Sequence, residues 1–295
     1  MPPPLPLRQP PGLYHRRLGP LMITALNDGV IEAAFDWLTN ITPPAAAALH
    51  RAAFRADPPR ITLNAFLVQL PDGRLVLIDT GAADSLGPGA GALPALLAAL
   101  GIAPAEIACV LLTHLHPDHA GGLLDPAGAP AFANAELVLA PAEAAFWQDP
   151  ATAAGPGASE QDRAFTALAR AALAAYAGRT RLVAEGPALP HITAVKLPGH
   201  TPGHTGWHLA AGEDALLVWG DVVHLPCVQF PHPEAGMGFD TDGPGAIATR
   251  RRVFAQAAAE RLAVAGMHLD FPPFGHVAAE GTGYRFIPEV WSPAP

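Results

Sequence analysis

The stretch that most constrains this chain is Thr113-His114-Leu115-His116-Pro117-Asp118-His119, which follows the apolar run Ala108-Cys109-Val110-Leu111-Leu112 and precedes Ala120-Gly121-Gly122. A β-strand sends alternate side chains to one side, so a strand ending here presents His114 and His116 to the same point while Leu115 faces away. Pro117 stops the strand and suits the first turn of a helix, which swings Asp118 and His119 back towards that point. Three imidazoles and a carboxylate are too many for one tetrahedral ion that also keeps an open position, so the run predicts two adjacent metal ions. A lone histidine in apolar surroundings reads as a hydrogen-bonded core or surface residue. Four donors packed this closely after a buried strand read as a metal site.

The rest of the chain has to bury that strand. Half of the 295 residues are hydrophobic, enough for a large α/β core. The formal net charge of -9 lacks the basic footprint that nucleic acid or an anionic membrane surface requires, and no apolar run reaches membrane length, so neither is an expected partner. Lys196 is the only lysine, and Arg250-Arg251-Arg252, the only basic cluster, reads as the solvated face of a helix. Cys109 and Cys227 offer no disulfide framework and no Cys-x-x-Cys, and neither reads as a nucleophile. The opening Met1-Pro2-Pro3-Pro4-Leu5-Pro6-Leu7-Arg8 lacks the apolar core of a signal peptide, which makes the cytoplasm the expected location.

In order, a Pro-rich arm (1–12), extended or disordered, precedes one domain (13–295). Leu21 to Leu26 reads as a strand, with Asn27-Asp28-Gly29 as a turn into Val30 and Ile31. A helix over Pro44 to Phe54 follows, then a hairpin of Ile61 to Leu70 and Arg74 to Ile78 around Pro71-Asp72-Gly73. Asp79, at that strand end beside a glycine, reads on its own as a turn former. Helix Leu93 to Leu100, strand Ile107 to Leu112, strand Glu136 to Ala140 and helix Pro141 to Trp147 come next. A loop from Asp149 to Asp162 leads to the helix Arg163 to Tyr176, whose Phe165, Leu168 and Leu173 form an apolar stripe.

Strands return at Arg181 to Ala184, Thr193 to Leu197, Trp207 to Ala210 and Ala215 to Trp219, the last closed by Gly220-Asp221. A long loop from Leu225 to Gly245, a helix from Ala246 to Arg261 and a final short strand from Leu262 to Met267 complete the pattern. His200, His204 and His208, spaced by four, imitate a helical metal face. The prolines and glycines of Pro198-Gly199-His200-Thr201-Pro202-Gly203 make a helix there improbable, so at most one or two of them share a site. Strands and helices in two successive halves, with candidate ligands at strand ends, predict an α/β four-layer αββα sandwich.

The His-x-His-x-Asp-His run resembles the signature of the metallo-β-lactamase superfamily. From Gly12 to about the C-terminus the chain is similar to the branch containing methyl parathion hydrolase and related lactonases. The similarity lies in Leu18-Gly19, Thr24-Ala25-Leu26-Asn27-Asp28-Gly29, Pro198-Gly199-His200-Thr201-Pro202-Gly203-His204, Trp219-Gly220-Asp221 and Ala265-Gly266-Met267-His268-Leu269-Asp270-Phe271-Pro272. The resemblance implies His114, His116 and His200 around one ion, Asp118, His119 and His268 around the other, and Asp221 shared by both. It also implies that Asp79 holds a ligand histidine by its second ring nitrogen. His276 competes with His268 but lies beyond Phe271-Pro272-Pro273-Phe274-Gly275, so His268 is preferred, and His204 and His208 are left with structural roles.

Zinc is the first choice for such ligands, with manganese, cobalt or iron as alternatives. A water shared by ions about 3.5–4 Å apart would act as hydroxide nucleophile, with Asp118 counted among the catalytic groups and no organic cofactor needed. By position, Trp147 and Phe165 fall where this branch places pocket aromatics, although each also reads as plain core. His224 stands where acyl homoserine lactonases carry a tyrosine that contacts substrate. It reads either as a proton donor to the departing alkoxide or as a structural residue. Together with Phe239 it would narrow the cavity in favour of a flat lactone. The expected substrate is a small uncharged lactone or aryl ester, with weaker phosphotriesterase activity. The rivals are organophosphate hydrolysis as main activity, β-lactam hydrolysis, iron-dependent oxygen chemistry and an RNase Z-type nuclease. By analogy a homodimer is expected.

Overall fold

A computed structural model describes residues 9–154 and 159–295 of the chain. Residues 1–8 of the Pro-rich arm and 155–158 of the expected 149–162 loop lie outside them. The end of the arm is fastened, because the Gly12 carbonyl accepts the Asn27 N–H at 2.9 Å.

Strand alternation sorts the apolar residues of the first half into two layers. Leu67, Leu77, Val110, Leu137 and Leu139 face one way, against Leu96, Ala169, Leu173 and Tyr176 of the flanking helical segments. Their neighbours Phe66, Val68, Val76, Ile78, Leu111 and Val138 face the other way, against Trp207, Leu209, Leu216, Val218 and Phe274 of the second half. Beyond that inner core, Leu217, Trp219 and Val264 turn outward to Val253, Phe254 and Ala257 on the helix Gly243–Glu260. Two sheets with inner faces pressed together and helices outside are the four layers expected.

The first sheet runs in spatial order Leu13–Leu18, Leu21–Glu32, Arg60–Gln69, Leu75–Ile78, Ile107–Leu111, Glu136–Leu139 and Thr180–Leu182. Its first four strands are antiparallel and the rest parallel. The second runs Gly283–Pro288, Phe274–Glu280, Ala263–Ala265, Asp214–Val218, Thr205–Ala211, Ile192–Lys196 and Gly186–Leu189. The helix Gly243–Glu260 lies between the parallel pair Asp214–Val218 and Ala263–Ala265. Each parallel pair needs a crossover, so the carboxyl ends of the strands collect on one edge. Asp79 follows Ile78, the histidine run follows Leu111, His200 follows Lys196, Asp221 follows Val218 and His268 follows Ala265.

Several local expectations change. Asn27-Asp28-Gly29 is a bulge inside the single strand Leu21–Glu32: Asn27 pairs with Asn64, and Gly29, not Asp28, pairs with the next residue, Leu63. The freed Asp28 carboxylate accepts the backbone N–H groups of Ala82, Gly91 and Leu93, fastening the 81–93 segment. The strand into the histidine run ends at Leu111, so His114 and His116 stand on irregular backbone rather than a strand end. They still converge, because Leu115 is drawn into the apolar core and its N–H is held by Glu143. Pro117 opens a short helix, Pro117–Ala120, as expected.

The 149–162 loop contains a helix, Pro150–Ala154, and the next helix starts at Glu160 behind a Ser159 cap. The loop after Leu225 contains the turn of helix Pro226–Gln229 and a two-residue strand, Gly236–Met237, paired with Leu38–Thr39. Two further strands, Phe274–Glu280 and Gly283–Pro288, follow the one expected to be last. Arg250 is not solvated but 1% exposed, its guanidinium donating to the carbonyls of Val222, Pro233 and Ala235. Burial, only partly offset by the Asp240 carboxylate, pushes it down to about 10. Among the described residues no helix is long and apolar enough to cross a membrane.

Candidate metal centre

Seven side chains named from the sequence meet at the strand ends. The donor atoms of His114, His116 and His200 lie within 4.8 Å of one another, as do those of Asp118, His119, Asp221 and His268. Asp221 connects the groups: its Oδ2 is 3.0 Å from His268 Nε2 and 3.3 Å from His200 Nε2, and its Oδ1 is 3.3 Å from His119 Nε2. Gly220 makes the turn into Asp221 at φ 60°, where a Cβ would overlap His204 Nε2. That nitrogen accepts the Asp221 N–H at 2.9 Å, and His204 Nδ1 donates to the Leu197 carbonyl at 2.7 Å. His204 is thus engaged on both ring nitrogens, while His208 is half-buried on the strand Thr205–Ala211 and His276 is exposed on Phe274–Glu280.

Four of the five rings are oriented by partners behind them. His119 Nδ1 donates to Asp79 Oδ2 at 2.7 Å, and the Thr113 hydroxyl donates to the same oxygen at 2.7 Å. That hydroxyl in turn accepts from His114 Nδ1 at 3.0 Å. His268 Nδ1 donates to the Thr62 carbonyl at 2.8 Å, and His200 Nδ1 to Asp240 Oδ1 at 2.8 Å. With the outer nitrogen holding the proton, the inner Nε2 of each ring turns a lone pair into the cluster.

The inner atoms are under-satisfied in the way a cation corrects. His116 Nδ1 lies 2.9 Å from both His114 Nε2 and His200 Nε2, a crowding of ring nitrogens that hydrogen bonds alone pair poorly. His119 Nε2 and Asp221 Oδ1 are buried with no hydrogen-bond partner. Charge points the same way. Burial pulls His119 down, but Asp118, Asp221 and Asp79 together raise it well above its ordinary value. Burial likewise opposes, and Asp221 and Asp240 overcome it, in raising His200 to about 9. His114 falls well below its ordinary value and His116 falls to about 3, chiefly through burial. The carboxylates favour positive charge, raising His119, His200 and His268 alike, and divalent ions would supply it. Nitrogen and oxygen donors without thiolate suit zinc, manganese, cobalt or iron.

The centre floors a cavity of about 340 Å³. Trp147 and Phe165 line it, with ring centroids 5.6 and 6.5 Å from His116. Phe239 lines it too, 5.8 Å from His200 and 5.3 Å from His224, and is 43% exposed at its mouth. Trp37, Phe146, Ile31 and Leu86, none of them singled out from the sequence, complete the apolar wall. His224 Nε2 stands 3.1 Å from Asp221 Oδ2, its ring stacked 4.9 Å from that of His268, and burial pushes it down to about 4. Among the described residues lining the cavity there is no lysine or arginine.

Two acidic residues were missed. Glu143 is fully buried and accepts from Leu115 N, Trp147 Nε1, Thr201 Oγ1 and Gly203 N; burial raises its carboxyl. A lone acid within Pro141-Ala142-Glu143-Ala144-Ala145-Phe146-Trp147 was a signal that could have marked it. Asp240, beside Phe239 in an irregular segment, had no such signal.

The sequence profile described as the metallo-beta-lactamase superfamily matches residues 60–268. Among solved structures, the chain is 32% identical to "hydrolase AbOPH in beta lactamase superfamily", covering 97% of this chain and 100% of that one with a TM-score of 0.91. It is 27% identical to AidC, described as a dizinc quorum-quenching lactonase in complex with a homoserine product, covering 96% and 99% with a TM-score of 0.86. A probable metal-dependent hydrolase from Staphylococcus aureus, at 20% identity, coverages of 94% and 100% and a TM-score of 0.73, shares the fold. Comparison with curated proteins gave no significant match.

Proposed function

The chain belongs to the metallo-beta-lactamase superfamily and is a metal-dependent hydrolase, and from that premise we propose that it opens small uncharged lactones and aryl esters at a dinuclear centre. His114, His116 and His200 would hold one ion, Asp118, His119 and His268 the other, with Asp221 shared. The observation that carries this reading is the meeting of two donor groups at one carboxylate, on the floor of an apolar cavity. The likeness to AidC, a dizinc quorum-quenching lactonase in complex with a homoserine product, supports the lactone over other esters.

Bound ions of this kind supply Lewis acidity and bring the pKa of water near neutrality. The chain's own residues do the rest. Asp79, Thr113 and Thr62 fix the ring orientations, so the donors are set before substrate arrives. Asp118, whose side chain is the more exposed of the two central carboxylates, would carry a proton from the attacking water to the oxygen that leaves the carbonyl carbon on the carboxylate oxygen not turned towards His119 and His268. The aromatic walls exclude water and favour an apolar substituent. Acidic groups and the absence of lysine or arginine among the described lining residues disfavour a β-lactam carboxylate.

Phosphotriester cleavage is the proposed side activity, held back because Phe239 and His224 narrow the cavity around a bulky tetrahedral centre. On zinc- or manganese-loaded protein, kcat/KM for an aromatic lactone should exceed that for an aryl phosphotriester by at least about tenfold, equivalent to about 1.4 kcal/mol of transition-state discrimination. A chelated sample should lose both activities. Equal or reversed rates would make organophosphate hydrolysis the main activity.

His224 has a more limited part than a standing acid. With burial pushing its ring down to about 4, it serves as a polar wall of the cavity and gives its one N–H, on Nε2, to Asp221 Oδ2. His224→Ala should lower lactone kcat/KM about 10-fold, through the loss of one hydrogen bond that holds the Asp221 carboxylate, at about 1–1.5 kcal/mol. Unchanged turnover would assign the residue to packing alone.

A further inference from the structure

The segment that carries Phe239 into the cavity is tied to His200 and its neighbour Gly199 by three hydrogen bonds. Thr241 N–H donates to the His200 carbonyl at 2.9 Å and Asp242 N–H to the Gly199 carbonyl at 2.8 Å. The third is the side-chain bond from His200 Nδ1 to Asp240 Oδ1 at 2.8 Å. The other carboxylate oxygen, Oδ2, accepts the Met237 N–H at 2.9 Å, and Asp240 N–H donates to the Met237 carbonyl at 3.1 Å, closing a tight turn. That turn is anchored in its own right, since Gly238 N–H donates to the Trp37 carbonyl and Gly236–Met237 pairs with Leu38–Thr39. Asp240 therefore holds an imidazole with a carboxylate whose second oxygen is already committed to a rigid turn.

The counterpart is Asp79, which grips His119 in the other donor group with Oδ2 while its Oδ1 accepts Thr113 N–H. Both carboxylates bond the ring nitrogen facing away from the cluster, and both use the remaining oxygen on backbone. The remaining rings are backed by neutral oxygen or, for His116, face two ring nitrogens. One carboxylate-backed imidazole thus falls in each donor group.

We infer that Asp240 is the positioning residue for His200, fixing its tautomer and aim for one of the two ions and joining that ligand to the pocket wall at Phe239. The inference rests on the dinuclear reading. A carboxylate behind a ligating imidazole raises its basicity and fixes its rotation; losing such a partner typically costs about 10–100-fold in metal affinity. Asp240 is not among the residues that line the cavity, so its removal should act through His200 and through the turn at Met237 rather than on substrate directly.

The test loads wild type, Asp240→Asn, Asp240→Ala and Phe239→Ala with zinc, and in parallel with cobalt, and measures ions retained per chain against increasing chelator. Wild type should hold two ions. Asp240→Asn, which keeps the side-chain shape, should give up one ion at about 10–100-fold lower chelator concentration while retaining the other as wild type does. Its cobalt visible spectrum should change, and kcat should fall with KM nearly unaltered. Phe239→Ala, the adjacent change in the same segment, should raise KM and leave both ions held as in wild type. Asp240→Asn is the deciding variant if Asp240→Ala fails to fold.

Wild-type retention and an unchanged cobalt spectrum in Asp240→Asn would overturn the inference while leaving the dinuclear reading intact. Equal loss in Phe239→Ala would also overturn it, by assigning the effect to the segment rather than to the carboxylate. Uptake of fewer than two ions by wild type would overturn the dinuclear reading and this inference with it.

Discussion

Asp221→Ala should abolish retention of a metal pair and reduce lactone kcat/KM by about 10³-fold, the upper end of what losing one electrostatic partner of a transition state costs. The magnitude follows from how many groups share this side chain. Its two oxygens lie within 3.6 Å of nitrogens on His114, His119, His200, His224 and His268. Among the described residues no other carboxylate reaches both donor groups, since Asp118 contacts His119 and His268 and Asp240 contacts His200. Removing it leaves one group with no carboxylate donor and the other with one. Asp221→Asn is the matched control: it preserves volume but halves the acceptor oxygens and removes the charge, so it should fail in the same direction. Metal content and kcat/KM measured together decide the matter. A variant that keeps two ions and stays within about tenfold of wild-type activity would remove Asp221 from its shared role.

Glu143→Ala should destabilise the fold by about 3–5 kcal/mol, read as a lower midpoint in urea unfolding. The fully buried carboxylate accepts four hydrogen bonds, at 2.9 Å from Leu115 N, 2.7 Å from Trp147 Nε1, 2.6 Å from Thr201 Oγ1 and 3.2 Å from Gly203 N. Truncation leaves these donors facing a cavity, and each buried donor without a partner costs about 1–3 kcal/mol, offset where water enters. The effect should not stop at stability. Leu115 lies between His114 and His116, Thr201 adjoins His200, and Trp147 walls the cavity, so one side chain registers three ligands and a pocket aromatic. Glu143→Gln supplies one acceptor oxygen and turns an NH₂ towards donors, and an intermediate loss is expected. A cost below about 1 kcal/mol for Glu143→Ala would mean that the loops hold their places without it.

What could be read from the sequence was what is close along it. His114, His116, Asp118 and His119 declare a metal site because six residues hold all four donors and Pro117 states where the backbone must turn. The layers were legible because the continuous apolar runs Phe66 to Val68, Val76 to Ile78 and Val110 to Leu112 belong to strands covered on both faces. His200, Asp221 and His268 were reached through resemblance, for no local pattern separates them from His204, Asp79 or His276.

The misreadings share a cause. Asn27-Asp28-Gly29 has turn chemistry, yet pairing with Arg60–Gln69 on either side holds it as a bulge, and a turn signal carries no information about what lies across the sheet. Arg250 looks like one of three solvated arginines until Val222, Pro233 and Ala235 are brought around it. Asp240 meets His200 across 40 residues of chain, and Glu143 meets Thr201 across 58. The sequence by itself pointed to a candidate metal site, to the strand that leads into it and to two sheets enclosing an apolar core. Only the tertiary structure showed that Asp240 stands behind His200, that Glu143 holds Leu115 and Thr201, and that Trp37 and Phe146 join the cavity wall. Those partnerships are made between segments whose approach is set by sheet packing, and hydrogen-bond donors and acceptors far apart in the chain carry no mark of each other until it has folded.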